Sequence, residues 1–117
     1  FWGTFCKPCV EELPAILSAA AAYPGIELVL VSLDLPDYYP DRLKIFVEKN
    51  KFQSATHVWL NETDADVFCP RIDKSWSGAI PVTLFVNTSA NYRQFIDRPM
   101  TAADIRASYL ALDATTH

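Results

Sequence analysis

Apolar side chains recur along this chain with two periods, and the switches between them mark its elements. From Lys7 to Ala22 they return every three to four positions, with Ile16, Leu17 and Ala20 on one face, the repeat of an amphipathic helix. Pro14 falls inside this helix, where its missing N–H is expected to bend the axis, and Tyr23-Pro24-Gly25 stops it. Ile26 to Leu33 is nearly continuous in apolar and β-branched residues, as in a parallel strand covered on both faces. Asp34, at its C-terminal end, lies near where α/β sites gather and reads as a solvated turn residue rather than a catalytic one. Leu35 to Asp41 is a turn-rich connection whose Tyr38 and Tyr39 are candidates for lining a groove. A second helix is expected from about Pro40 to Asn50, with Leu43, Phe46 and Val47 inward. Thr56 to Leu60 reads as a strand, with His57 on the same face as Trp59 and in a structural role.

Asn61 to Cys69 reads as a short helix capped by Asn61, with acids in its early turns and Pro70 at its end. A loop, Arg71 to Ser77, leads to a strand that opens at Ala79-Ile80-Pro81 and runs through Val86; proline suits the first residue of a strand, not its middle. The polar turn Asn87 to Asn91 joins it to Tyr92–Ile96 as an antiparallel hairpin. Thr101 with Asp104 reads as the capping box of a last helix, with Ile105, Tyr109 and Leu112 inward and residues 113–117 fraying. This order predicts one α/β domain with a mixed central sheet flanked by helices on both faces.

Composition fits one domain. The chain has 117 residues, half of them hydrophobic, which is enough for a core. Its net charge is −4 and it carries no basic stripe, so no nucleic-acid partner is expected. No apolar run approaches the ~20 residues that span a bilayer. Three cysteines are too few for a disulfide scaffold.

Two of those cysteines define the candidate chemistry. In Cys6-Lys7-Pro8-Cys9 the pair is three apart at the start of a helix, after a run, Phe1 to Phe5, that reads as the end of a strand. Residues i and i+3 of a helix are neighbours, within the Cα range of a disulfide. Cys6 near the N-cap faces the positive end of the helix and can accept the free N–H of Cys9. Lys7 adds a cation, and Pro8 loses nothing by lacking an N–H in a first turn. All three favour the thiolate, the species that attacks a disulfide. Cys9 is the deeper, resolving thiol, and Glu12, one turn on, reads either as an acceptor for its proton or as an exposed acid of the first helix. Competing readings are a zinc site, a purely structural disulfide and two unconnected core cysteines. Zinc needs about four ligands, and the rest of the chain offers only Cys69, His57 and His117 at no recognisable spacing; no metal is expected. Cys69 reads as a small buried hydrophobe.

The segment Phe1-Trp2-x-Thr4-Phe5-Cys6-x-Pro8-Cys9 resembles the thioredoxin active-site segment. Cys9-x-x-Glu12-Leu13-Pro14 is similar to the TlpA/ResA-like branch of bacterial extracytoplasmic thiol-disulfide oxidoreductases, and Trp76-Ser77-Gly78-Ala79-Ile80-Pro81 resembles its Bacteroidetes-type members. Gly78 to Val86 resembles the cis-proline segment of that fold and the strand after it. The resemblance implies a thioredoxin fold and an enzyme that exchanges disulfides with dithiol- or disulfide-containing proteins, with an upstream electron donor and no cofactor. It implies Cys6 as nucleophile, Cys9 as resolving thiol and Glu12 as the family's active-site glutamate. It implies a cis bond at Pro81, with Pro81 facing the sulfurs, and Ile80 pairing with an incoming peptide. Trp2, Phe5, Trp76, Ile80 and Pro81 would shape an apolar docking surface. It also implies a periplasmic or other extracytoplasmic location, tethered or secreted. Two alternatives stand beside it: a peroxiredoxin-like peroxide reductase, whose Pro-x-x-x-Thr/Ser-x-x-Cys context is missing here, and a non-catalytic binding or chaperone module. In this fold the strand before the cysteines is interior, so residues 1–117 are expected to form a thioredoxin-like domain lacking its N-terminal strand or strands, completed by a longer parent chain or by a second copy through strand exchange.

Overall fold

The computed structural model describes residues 1–38 and 41–116. Tyr39, Pro40 and His117, which figure in the expectations above, lie outside them. The elements are α1 (Lys7–Ala22), β1 (Val29–Ser32), a 3-10 turn (Pro36–Tyr38), α2 (Asp41–Lys49), β2 (Thr56–Trp59), α3 (Ala65–Ile72), β3 (Thr83–Asn87), a second 3-10 turn (Thr88–Ala90), β4 (Tyr92–Ile96) and α4 (Ala102–Ala114).

α1 has the bounds its periodicity predicts, and it buries Cys9, Glu12, Leu13, Ile16 and Ala19. Pro14 lies inside it on the exposed side. β1 and β2 are parallel, with Val29 opposite Thr56 and Ser32 opposite Trp59. β3 and β4 form the expected hairpin, with Thr83 opposite Ile96 and Asn87 opposite Tyr92. Its turn closes through Asn91 at φ 52°, a left-handed position that asparagine tolerates. α4 begins with a complete capping box: Thr101 Oγ1 accepts the Asp104 N–H, and the Asp104 carboxylate accepts the Thr101 N–H, each at 3.1 Å. Ile105, Tyr109 and Leu112 are buried, as expected. His57 is structural, with Nε2 2.7 Å from the Phe52 carbonyl oxygen.

Three expectations need correction. The third helix is Ala65–Ile72, with Pro70 inside it and Asp64 as its cap. Asp64 Oδ1 accepts the Asp66 N–H at 3.0 Å, so this nearer acid, not Asn61, takes the cap. The segment Phe1 to Phe5 is not a strand end of several residues: only Trp2 pairs, in a parallel bridge to Ser32. Its N–H donates to the Val31 carbonyl at 3.0 Å, and its carbonyl accepts the Leu33 N–H at 2.8 Å. The mixed sheet is consequently two separate ladders, β1–β2 and β3–β4. Between them runs a groove of about 530 Å³ lined by Ile26 to Val31 and Val82 to Asn87, with Leu13 and Ile16 of α1 and Tyr109 and Leu112 of α4. At one end the Phe1 amino group donates to the Val82 carbonyl at 2.9 Å. Finally, Asp34 is not solvated; it is 2% exposed.

Most of the core gathers around α1, α4, β1 and β3, with Trp2 against Phe46 and Phe52. A smaller cluster of Cys69, Trp76 and Val82 lies under the loop before β3. Cys69 is buried and free, as a small core side chain. No helix among the described residues is long and apolar enough to cross a membrane.

Candidate active site

The site is built where Trp2, α1 and the loop before β3 meet. Cys6 is the N-cap of α1 in an extended conformation, φ −99° and ψ 99°. This geometry turns its side chain back over the first helical turn, and the Cys9 N–H donates to Cys6 Sγ at 3.3 Å. The two sulfurs are bonded, with a Cα–Cα distance of 5.3 Å. Both cysteines are buried, Cys6 at 8% exposure and Cys9 at 1%, so the outer sulfur belongs to the N-cap. Lys7 is exposed and lies 3.8 Å from Glu11, a surface pair of small energetic weight.

Opposite stands the loop Trp76 to Pro81. Gly78 has φ +96° and the Ile80–Pro81 peptide is cis. A positive φ of that size costs glycine nothing and other residues a good deal. The loop carries the Ile80 carbonyl oxygen to 3.8 Å from Cys6 Sγ. Trp76 fixes it from below: its indole N–H donates to the Ala79 carbonyl at 2.8 Å, and its ring packs on Phe1, Phe68 and Phe95.

One turn along α1 from Cys9 lies Glu12, only 9% exposed. One carboxylate oxygen accepts the Met100 N–H at 2.8 Å. Burial pushes its carboxyl above the ordinary carboxylate value, opposed by that N–H. An acid that holds its proton less reluctantly than usual suits a group that exchanges protons with a thiol.

The structure therefore brings Cys6, Cys9 and Ile80 together, with Glu12 one turn beyond Cys9 on α1 and Pro81 joined to Ile80 by the cis peptide. It divides the apolar set in two. Phe5 is 67% exposed beside Cys6, whereas Trp2 and Trp76 are 2% and 5% exposed. Burial takes these two tryptophans out of direct contact with any partner and leaves them to shape the surface from beneath. Phe5 lies over Gly3, where a Cβ would meet its ring at 2.5 Å. One further residue has a place here, Asp34, which the sequence reading sets down as a solvated turn residue. Its Oδ1 accepts the Thr4 N–H and hydroxyl at 3.1 and 2.5 Å. Its position at the C-terminal end of a parallel strand, where α/β sites gather, is the signal that points to it.

No family model matches the chain. Among curated proteins it is similar to the thiol-disulfide oxidoreductase ResA of Geobacillus kaustophilus, 28% identical over 109 residues, and to ResA of Geobacillus thermodenitrificans, 26% identical over 110 residues. These matches cover 90% and 91% of this chain but 56% of each relative, so the chain spans little more than half their length. Among solved structures it is similar to Mycobacterium tuberculosis DsbF in its mixed oxidized and reduced forms, with TM-score 0.72 and 24% identity over 96% of this chain and 76% of the other. It is also similar to a secreted Mycobacterium tuberculosis disulfide oxidoreductase homologous to Escherichia coli DsbE, with TM-score 0.70 and 21% identity over 95% and 77%. The fold is the thioredoxin fold.

Proposed function

We infer, from the chain's being a TlpA/ResA-like member of the thioredoxin superfamily, that it is a thiol-disulfide oxidoreductase acting on disulfide- or dithiol-containing proteins. The observation that carries this reading is the Cys6–Cys9 bond at the helix N-terminus with the Cys9 N–H on Cys6 Sγ. In the reduced protein that N–H and the helix end stabilise a Cys6 thiolate. The thiolate attacks one sulfur of a partner disulfide; the S–S bond breaks, and the leaving sulfur departs with the electron pair and takes up a proton. Cys9 then gives its proton to Glu12 and attacks the Cys6 sulfur of the mixed disulfide. This releases the partner's second thiol and closes Cys6–Cys9. The partner gains two electrons, and an external dithiol restores the domain. Run backwards, the same steps oxidise a partner dithiol.

The surface suits such exchange. Phe5 offers an apolar contact beside Cys6, and the cis-proline loop offers the Ile80 backbone 3.8 Å from the sulfur, where an extended peptide can pair with it. Two observations weigh against a peroxide reductase: the Thr4 hydroxyl is taken by Asp34, and the Pro-x-x-x-Thr/Ser-x-x-Cys context is missing. The location that goes with this reading is extracytoplasmic. The groove between the two ladders supports one further element: a strand preceding Phe1 in a longer chain would run between β1 and β3 and join them into one sheet. Extending the chain at its N-terminus with native residues is expected to raise the thermal midpoint while leaving a monomer. An equal midpoint, or a dimer of the short chain, would refute the intramolecular strand.

The functional test is reduction of insulin disulfides by dithiothreitol. The protein is expected to accelerate it, and Cys6→Ser to abolish the acceleration. A wild-type protein that leaves the rate unchanged overturns the reading.

A further inference from the structure

Asp34 is tied into the fold on all sides. Its Oδ2 accepts the Ser32 hydroxyl at 2.6 Å, its N–H donates to Ser32 Oγ at 3.0 Å, and its carbonyl accepts the Trp59 indole N–H at 2.8 Å. β1 and β2 thus hold both its backbone and its side chain. The rest of the carboxylate is spent on Thr4: Oδ1 takes the N–H and the hydroxyl, and Oδ2 lies 3.2 Å from the same N–H. Burying a carboxylate is costly unless its oxygens are filled, and here the donors come from Ser32 and from Thr4.

Thr4 stands two residues before the nucleophile. The last ladder rung before α1 is at Trp2, and the helix begins at Lys7. Between them the chain turns through a Cys6 N–H to Gly3 carbonyl bond of 3.0 Å. With the ring of Phe5 mostly in solvent, the Asp34–Thr4 contact and this turn are what fix the approach to Cys6. The extended N-cap conformation of Cys6, and with it the Cys9 N–H on the sulfur, depends on where that approach is held.

We propose that Asp34 is a positioning residue for the nucleophile: its carboxylate clamps Thr4 so that Cys6 is held at the helix N-cap with its sulfur on the Cys9 N–H. This rests on the reading of Cys6 and Cys9 as a thiol-disulfide centre. Losing the clamp loosens the N-cap, leaves the thiolate less stabilised, and thereby makes the pair more reducing, since a stabilised thiolate is what makes such a pair oxidising. The carboxylate's own negative charge pulls the other way, because a neighbouring anion disfavours a thiolate. The other charged groups about the site, Lys7, Glu11 and Glu12 on α1, are unchanged in the variants below.

Two variants separate clamp from charge. Asp34→Asn removes the charge and breaks part of the network. Thr4→Val keeps the charge and the β-branched shape but deletes the hydroxyl donor. In each, the rate of iodoacetamide labelling of Cys6 in the reduced protein is followed against pH by mass spectrometry, and the reduction potential is measured against a glutathione buffer. Both variants are expected to raise the labelling midpoint by about half a unit or more and to shift the potential toward the reducing side. If Asp34→Asn lowers the midpoint and Thr4→Val leaves it in place, the carboxylate acts as a charge and the clamp is refuted. Unmoved midpoints and potentials in both, whatever the loss of thermal stability, refute it as well. Should Asp34→Asn fail to fold, Thr4→Val decides alone, since its site is half-exposed. Neither measurement needs a substrate. A wild type inactive on insulin with shifted midpoints in the variants keeps the clamp and removes the functional reading; an active wild type with unmoved midpoints does the reverse.

Discussion

Glu12→Gln separates the structural work of the buried acid from its chemical work. The amide keeps an acceptor for the Met100 N–H and loses the charge. In the folded protein burial raises the carboxyl above its ordinary value of 4.5, more than the Met100 N–H lowers it. Between the unfolded and the folded pKa the native state therefore holds a proton that the unfolded chain has released. Stability falls as pH rises through that window and levels off above it. Each unit of elevation is worth about 1.4 kcal/mol, a penalty the Gln variant escapes. Against this, a hydrogen bond to a charged acceptor, roughly 1.5–3 kcal/mol, becomes a neutral one of roughly 0.5–1.5 kcal/mol. Desolvation is the larger effect here, so at neutral pH the variant should melt no lower than wild type. At roughly 4–6 °C per kcal/mol for a domain of this size, calorimetry resolves the difference, and it should shrink as pH falls toward 4.5. Chemistry should move the opposite way. Reduced protein mixed with an aromatic disulfide releases one chromophoric thiol when Cys6 attacks and a second when Cys9 resolves the mixed disulfide. Loss of a positioned base should slow the second phase by about 100-fold and leave the first nearly unchanged. An unchanged second phase from about pH 6 to pH 8 would refute the proton-transfer role. A stability gap that widens on acidification would refute the sign of the burial effect.

Other expected outcomes follow from single contacts. Cys69 is buried and its thiol is pushed up by that burial and by Asp66, so in native reduced protein iodoacetamide should label Cys6 well before Cys69, and early labelling of Cys69 at mild pH would overturn the assignment of the nucleophile. Thr101→Ala removes one arm of the α4 capping box and should cost about 1 kcal/mol by chemical denaturation. Asp104 is held below its ordinary value first by the Thr101 N–H, a contribution present above that value and lost as pH falls through the lowered one, so the gap between Thr101→Ala and wild type should not widen on acidification. Ile105→Ala empties a position 1% exposed in the main core and should cost roughly 2–5 kcal/mol; a loss below 1 kcal/mol would mean that α4 packs otherwise.

The parts of the fold legible in the sequence are those governed by local chemistry. The helix from Lys7 to Ala22 is fixed by periodicity and by the Tyr23-Pro24-Gly25 stop, the hairpin by two short strands around a polar turn, and the α4 box by Thr101 and Asp104. Cys6 as N-cap follows from the same local logic, since its neighbours already open a helix. What is not legible depends on groups distant in sequence. Asp34 reads as solvated because the donors that fill it include Thr4, thirty positions earlier. Asn61 and Asp64 are both good caps, and the choice between them depends on where α3 packs. Pro70 reads as a stop because a proline weakens a helix, yet Ile72 continues it. The burial of Trp2 and Trp76 could not be told from exposure, because docking surfaces and cores both use tryptophan.

Far from the sulfurs, Arg93 on β4 donates to the Asp73 carboxylate at 2.6 Å and to the Ile72 carbonyl, closing the C-terminal end of α3. Ser75 adds its N–H and hydroxyl to the same carboxylate, three residues before the glycine that turns the cis-proline loop. The loop that carries Ile80 to Cys6 is thus moored to the outer strand of the hairpin. Arg93 first, then Ser75, holds the Asp73 carboxyl down at about 2, so the mooring is in place above its ordinary value of 3.8 and slips only as pH falls through about 2. Thiolate chemistry fades long before that, as Cys6 takes up its proton. An acidified protein should therefore fall silent with its docking loop still in harbour, and returning it to neutral pH should restore full exchange at once, with no slow phase of refolding.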